Sequence, residues 1–330
     1  MQNLKEYIPI NFKDIKNTQD IIPTIAKNKD FIHEVELAVQ RIPTKHKFFN
    51  ADARKIEFFQ PESVHLIVTS PPYWNLKKYH DHQDQLGDIN DYRKFLDELD
   101  KVWGMCYNAL IPGGRLICIV GDVLLSRRRN NGVHSVLPLH ASIQERCINI
   151  GFKNLTPIFW HKISNINFEV NNGTSFLGKP YEPNGIIKSD IEFILMQRKA
   201  GGYRKPDFET RILSVISKEN HRNWFQQIWS DIPGASNKWH PAPYPVELVE
   251  RLIRMFSFVG DTVLDPFWGS GTTSIAAAKW GRNSIGIEVD PVYFQNAINR
   301  FSSSTNDLFQ KVSYQVIHSE KKHGKLAEIK

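Results

Sequence analysis

The sequence predicts an α/β fold built on a mostly parallel sheet. Three observations predict it. Short apolar runs recur along the chain with helical patterns between several of them, the alternation that generates parallel sheets. One run ends in Ser70-Pro71-Pro72-Tyr73. Another passes through a glycine turn into an alanine-rich helix.

The strand-like segments are 47–50, 64–69, 115–120, 155–160, 191–196, 262–265 and 284–289. Val64-His65-Leu66-Ile67-Val68-Thr69 is short, apolar and rich in β-branched residues, the pattern of a buried strand. Helices are expected at 30–41, 91–107, 138–150, 246–256 and 272–280. In the second of these Phe95, Leu96, Leu99, Val102 and Trp103 recur near the helical period. The stretch 161–240 differs. It is dense in Asn, Gly and Pro, holds one clear strand (191–196), and carries Lys, Arg, Trp and His on turn-rich runs, like a surface insertion that recognises something.

With 330 residues, 41% of them hydrophobic, the chain can build one large core or a core plus an insertion. The net charge of +7 is compatible with a polyanionic partner. No apolar run approaches ~18 residues, so no membrane span is expected. The start, MQNLKEYIPINFKDIKN, lacks a signal-peptide core, so a cytoplasmic location is expected. Cys106, Cys118 and Cys147 are spaced for neither a disulfide framework nor a zinc site.

Two consecutive prolines after the strand 64–69 forbid both helix and ladder. They force a stiff turn at a strand's carboxyl end, where open α/β sheets bind ligands. A hydroxyl, a rigid carbonyl and a flat ring there suit a planar, amino-bearing molecule shaped like a nucleobase. The second motif is the strand Thr262-Val263-Leu264-Asp265 followed by Pro266-Phe267-Trp268-Gly269-Ser270-Gly271-Thr272-Thr273. Its glycines let backbone approach a ligand closely, and helix-start amides point at it. It ends in neither the Walker Gly-Lys-Ser/Thr nor a third glycine. The next strand ends at Glu288, placed as acids that bind ribose hydroxyls are.

These motifs resemble the S-adenosylmethionine-dependent amino-methyltransferases of DNA. Asp265 to Thr273 is similar to that family's cofactor motif, and Ser70-Pro71-Pro72-Tyr73 to the Ser form of its catalytic motif. His240-Pro241-Ala242-Pro243-Tyr244-Pro245 is also similar. The catalytic motif comes first, which is the permuted, β-type order. The resemblance spans about residues 46–300. It implies a seven-stranded, mostly parallel Rossmann-like sheet with helices on both faces, one antiparallel strand, and a turn-rich target-recognition insertion. The chain then divides into an N-terminal extension (1–45), a catalytic half (46–160), the insertion (161–239, including the core strand 191–196), a cofactor-binding half (240–302) and a C-terminal tail (303–330).

The reaction so implied moves a methyl group to an exocyclic amine whose lone pair is delocalised into the ring. Ser70 hydroxyl and the Pro71 carbonyl would accept the amino protons, on a turn stiffened by Pro72. Tyr73 would stack on the base once it leaves the duplex, with Trp74 extending the wall toward nucleic acid. None of the cysteines follows a proline, so the Pro-Cys nucleophile of cytosine-C5 enzymes is absent and transfer is direct. For S-adenosylmethionine, Phe267 would pack on the adenine. Gly269, Ser270, Gly271 and Thr272 would form the loop, Asp265 would contact the amino acid part directly or through water, and Glu288 the ribose. Asp52 either contacts the adenine amino group or caps a helix. Asp122 either orients the amine or Ser70, or is a plain turn carboxylate.

Arg127, Arg128 and Arg129 fit phosphate clamping next to the cleft. Lys162 and Lys179 could add contacts from the insertion. His80, Asp81, His82 and Asp84 read as solvated helix-entry residues, and no metal is expected. Trp224, Trp229 and Trp239 read as buried anchors, with base stacking as the alternative. The leading expectation is cytosine-N4 methylation of double-stranded DNA in a restriction-modification setting, with a cognate endonuclease on the same site. Adenine-N6 methylation, RNA or protein-amide methylation, and an inactive DNA-binding module are the alternatives.

Overall fold

The computed structural model describes residues 3–12, 18–56, 60–76, 84–162, 189–235, 244–306, 311–319 and 326–329. In chain order the elements begin with α1 (Thr18–Lys27), α2 (Lys29–Val39), β1 (Thr44–Asn50), β2 (Val64–Thr69), α3 (Tyr92–Ala109) and β3 (Leu110–Val120). Then come β4 (Val123–Leu125), β5 (Ser135–Leu137), α4 (Leu139–Ile150), β6 (Lys153–His161), β7 (Ile191–Arg198), α5 (Phe208–Leu213), α6 (Lys218–Trp224) and β8 (Ile228–Trp229). The remainder is α7 (Val246–Phe256), β9 (Thr262–Asp265), α8 (Thr272–Lys279), β10 (Asn283–Glu288), α9 (Pro291–Thr305), β11 (Val312–Ser319) and β12 (Leu326–Ile329).

The central apolar runs form strands buried on both faces, as parallel sheets require, while β1 and β6 alternate. The main sheet has the order β12-β11-β1-β10-β9-β2-β3-β7-β6-β8. Neighbours from β11 to β3 are parallel. β7 runs antiparallel to both β3 and β6. All seven expected strands are present, but the sheet has ten rather than seven. β8 adds an edge beyond β6, and β11 pairs along the whole of β1, from Thr44↔Val312 to Asn50↔His318. The segment expected as a C-terminal tail therefore extends the sheet, and β12 contributes a second reversed strand.

Alternation along the strands sorts two cores. Ile67, Leu116, Cys118, Val120 and Leu264 face α3 and α4, packing on Phe95, Val102, Trp103 and Ile143. Leu66, Val68, Ile117, Ile119 and Val263 face α7 and α8, packing on Leu248, Leu252, Ala276 and Ala277. Asp91 caps α3 by accepting from Lys94 N, and Asp290 caps α9 ahead of Pro291. All three cysteines are buried, and burial pushes their thiols up.

The described part of the N-terminal extension packs on the fold: Ile25, Val35 and Val39 meet Ile212, Leu213 and Trp280. Within the described part of the insertion, Trp224 and Trp229 are buried anchors, with Trp229 Nε1 donating to Trp224 O at 2.9 Å. Trp239 and residues 163–188 lie outside the described residues. Among the described residues, no helix is long and apolar enough to cross a membrane.

Candidate active site

β2 and β9 are parallel neighbours, with Leu66↔Val263 and Ile67↔Leu264 in register. Both motif turns therefore leave the sheet side by side, at the carboxyl ends of these two central strands. Ser70 and Pro72 from the first, and Pro266, Phe267 and Gly269 from the second, line one cleft. Ala51, Asp52 and Ala53 after β1, Asp84 to Leu86, Ile287 to Val289 at the end of β10, and Tyr293 of α9 complete the lining. Trp268 N donates to Ile287 O at 2.9 Å, folding the glycine turn over β10, and Gly269 sits at φ +50°.

Glu288 is 8% exposed and accepts from Gly269 N at 2.8 Å and Asp290 N at 2.9 Å, one on each oxygen. Burial pushes its pKa up to about 7 despite those two bonds. Asp52 caps a short turn through Arg54 N at 2.9 Å and also grips the Arg54 guanidinium at 2.7 to 3.0 Å. The cap reading is thus met, and the same carboxylate lines the cleft. Asp84 pairs with Lys55 at 2.7 Å. Phe267 meets Trp103 edge-on at 6.1 Å.

Asp265, expected to contact the ligand directly or through water, does not line the cleft. It is fully buried and accepts from Thr69 Oγ1 at 2.7 Å, Tyr244 OH at 2.8 Å, Thr273 Oγ1 at 2.7 Å and Phe267 N at 3.1 Å. Burial raises its pKa against these bonds. Its work is internal: it ties the residue before Ser70 to the turn that carries Phe267. Ser270, Gly271 and Thr272 are also absent from the lining. Gly271, at φ +77°, is the N-cap of α8. Arg300 donates to Ser270 O at 2.7 Å and Thr272 Oγ1 at 2.9 Å, so the loop is clamped from behind by α9.

Both the sequence and the fold have counterparts among known proteins. The model of the N6/N4-type DNA methylases matches residues 64–299. The type II methyltransferase M.MjaI of Methanocaldococcus jannaschii is 38% identical over 279 residues, covering 76% of this chain and 88% of that protein. The chain belongs to the N6/N4 DNA methylase family. M.MthZI of Methanothermobacter thermautotrophicus, also a type II methyltransferase, is 31% identical over 309 residues, covering 86% of this chain and 84% of that one. A Thermus thermophilus protein described as a putative DNA modification methylase, solved with S-adenosyl-L-methionine, aligns with TM-score 0.66 and 51% identity. The alignment covers 82% of this chain and 98% of that one. The cytosine-N4-specific PvuII DNA methyltransferase aligns with TM-score 0.56 at 20% identity over 83% of this chain and 97% of that one, a likeness of fold.

Around the methylase cleft, other expected residues have different surroundings. Tyr73 is 8% exposed and packs beside Gly121, where an added Cβ would lie 3.3 Å from the Tyr73 ring. It therefore shows little ring surface for stacking. Trp74, expected at nucleic acid, is buried instead: its Nε1 donates to Ile89 O at 2.7 Å and its ring meets Tyr92 edge-on at 5.4 Å. Asp122 accepts from His140 Nδ1 at 2.6 Å and from His140 N at 3.2 Å. His140 itself stacks on Phe193 at 3.8 Å. The histidine is invisible in the sequence, because nothing local marks a residue that meets its partner across 18 positions.

Arg127 and Arg128 are exposed on a short turn between β4 and β5, and Arg129 follows in the same turn. Lys162 is paired with Glu192 and lies 4.9 Å over the Trp160 ring. Its charge is thus compensated within the chain, against the expectation of a nucleic-acid contact. Lys179, His80, Asp81 and His82 lie outside the described residues. No group of three or more metal-ligating side chains occurs among the described residues.

Proposed function

We propose that this DNA methyltransferase uses S-adenosylmethionine to methylate the exocyclic N4 of a cytosine turned out of the duplex. The observation that carries the reading is the shared cleft: Ser70 and Pro72 face Gly269, Phe267 and Glu288 across adjacent strands. The cleft's character fits the cofactor. Glu288 lines it and suits a ligand bearing hydroxyls, Phe267 offers an aromatic wall, and Asp52 and Asp84 line it with their charges paired to Arg54 and Lys55. S-adenosylmethionine supplies an electrophilic methyl group when bound.

The remaining chemistry belongs to the chain. Ser70 hydroxyl and the Pro71 carbonyl accept the two amino hydrogens of the base, drawing the nitrogen lone pair out of conjugation. Asp122, held by His140, orients the amine from the side of β3. A cysteine adduct plays no part, since all three thiols are buried and their pKa values are raised by burial. Residues 46–160 and 240–302 act as catalytic and cofactor-binding halves, and 161–239 reads the target. The type II relatives support a restriction-modification setting with a nuclease on the same site.

The Ser form of the catalytic turn favours cytosine N4 over adenine N6. Digesting DNA methylated by the chain to nucleosides tests this. N4-methylcytosine is expected, and N6-methyladenine as the sole product would overturn the choice of base. Ser70→Ala should lower methyl transfer by about 10²-fold or more, the scale of a lost polar contact in a reacting centre. Binding of S-adenosylmethionine, read by calorimetry, should be unchanged.

A further inference from the structure

At the opposite end of the sheet from Ser70 lies a groove of about 820 Å³. It is bounded by α1, by the starts of β2 and β3, by the end of β7, and by the segments around α5, α6 and α7. Arg115, Arg198, Arg204, Lys27, Lys218 and His221 line it, and among the described residues its lining contains no Asp or Glu. From His65 in its wall to Ser70 the strand runs roughly 17 Å at ~3.3 Å per residue. The groove is therefore separate from the cleft.

The cations are arranged against their own interest. Arg198 sits opposite Arg115 on one side and opposite Lys153 on the other, in register across β3, β7 and β6. Like charges facing each other across strands are destabilising. Arg115 forms no ion pair among the described residues, and its buried Nε has no hydrogen-bond partner there. Burial and the Arg198 charge hold its pKa below the usual value. Carboxylates from outside the lining compensate only part of the charge: Asp261 binds Arg204 at 2.6 and 2.7 Å, and Glu36 binds Arg254 at 2.7 Å. Aromatic rings alternate with the guanidinium groups. Arg115 lies 4.8 Å over Phe256, Arg198 5.0 Å over Tyr203, and Arg204 5.1 Å over Phe258. Tyr203 is 87% exposed.

An anion in the groove resolves this arrangement, because it relieves the repulsion between the paired Arg115 and Arg198. We propose that the groove binds backbone phosphates of a second stretch of DNA, away from the segment being methylated. The choice of DNA rests on the DNA-modifying reading of the cleft. The breadth of the groove and its several separated cations match a run of phosphodiesters better than one compact anion. It also gives a task to α1 and to residues 199–222, which lie outside the sheet.

The test uses the full chain with both exposed lysines reversed, Lys27→Glu with Lys218→Glu, and separately Arg115→Gln. Affinity is measured for a long duplex carrying one target site, across a salt series. The reversal should weaken binding about tenfold or more. It should also flatten the salt dependence by nearly one unit of slope for each phosphate no longer neutralised. Arg115→Gln should act in the same direction. Methylation of a short duplex carrying only the target should keep its kcat and KM, which separates this proposal from the reading of the cleft. Unchanged affinity and slope in both variants would overturn the proposal. So would tight binding of inorganic pyrophosphate to the groove that leaves long-duplex affinity unaffected, which would mark a small-anion site.

Discussion

Glu288→Gln isolates what burial does to a carboxylate in the cofactor cleft. The side chain keeps its shape and loses its charge. In the ligand-free chain the Glu288 pKa stands at about 7, against an ordinary carboxylate value of about 4.5. The folded state therefore holds a proton that the unfolded state has released, and folding is favoured below that ordinary value. This contribution is lost as pH rises through 7. At about 1.4 kcal/mol per unit, the difference is worth roughly 3 kcal/mol. Glutamine cannot titrate, so it lacks this dependence. It also has one acceptor oxygen where Glu288 offers two, one each to Gly269 N and Asp290 N. One amide then loses its partner, costing about 1–3 kcal/mol. The variant should be less stable than the parent at pH 5, and the gap should close by roughly 2–3 kcal/mol at pH 8.5. Chemical denaturation of both proteins without ligand at the two pH values measures it. An equal gap at both would refute the assignment of the raised pKa. If the proposed ribose contact holds, the hydroxyl donates to the ionised form, and affinity for S-adenosylmethionine should rise between pH 6 and 8 in the parent only.

Three other changes probe the same framework. Gly269→Val forces a β-branched residue to φ +50° beside the cleft, and calorimetry should show cofactor binding weakened at least tenfold. Gly286→Ala would place a Cβ 2.5 Å from the Trp268 ring, which stacks on Phe48 at 4.1 Å. Overpacking should destabilise the fold by about 1–3 kcal/mol in denaturation, and no loss would mean that the ring can shift. Asp265→Asn turns an amide donor toward groups that already donate, so thermal stability should fall by the equivalent of about 1–3 kcal/mol, with methyl transfer reduced in step.

The central strands are legible because burial on both faces leaves continuous apolar runs, as in Val64–Thr69, and β1 and β6 show through the alternation of buried with more exposed residues. β11 and β12 are not. Val312–Ser319 mixes Ser, Gln and His with its apolar residues and lies beyond the motifs, so only its pairing with β1 reveals it. The cleft itself is legible through Ser70, Gly269 and Glu288, whose residue types and positions at strand ends mark them. Asp265 misleads because a strand-end carboxylate looks the same in sequence whether it faces a ligand or the interior. Four donors inside the protein, from Thr69, Tyr244, Thr273 and Phe267, decide the matter, and the first two are remote in sequence. Trp74 and Lys162 mislead for a related reason: each meets its partner, Ile89 O or Glu192, only after folding.

The bond from Thr69 to Asp265 joins residues 196 positions apart. It acts as a gauge block between the two halves of the reaction. On the proposed reading, the gap that a methyl group crosses is set in the dry interior by this bond and the β2–β9 pairing, rather than by the loops proposed to meet DNA. Those loops can then be exchanged, lengthened or retargeted without retuning the distance between donor and acceptor. The order in which the two halves follow each other along the chain can likewise change, provided that β2 and β9 stay side by side.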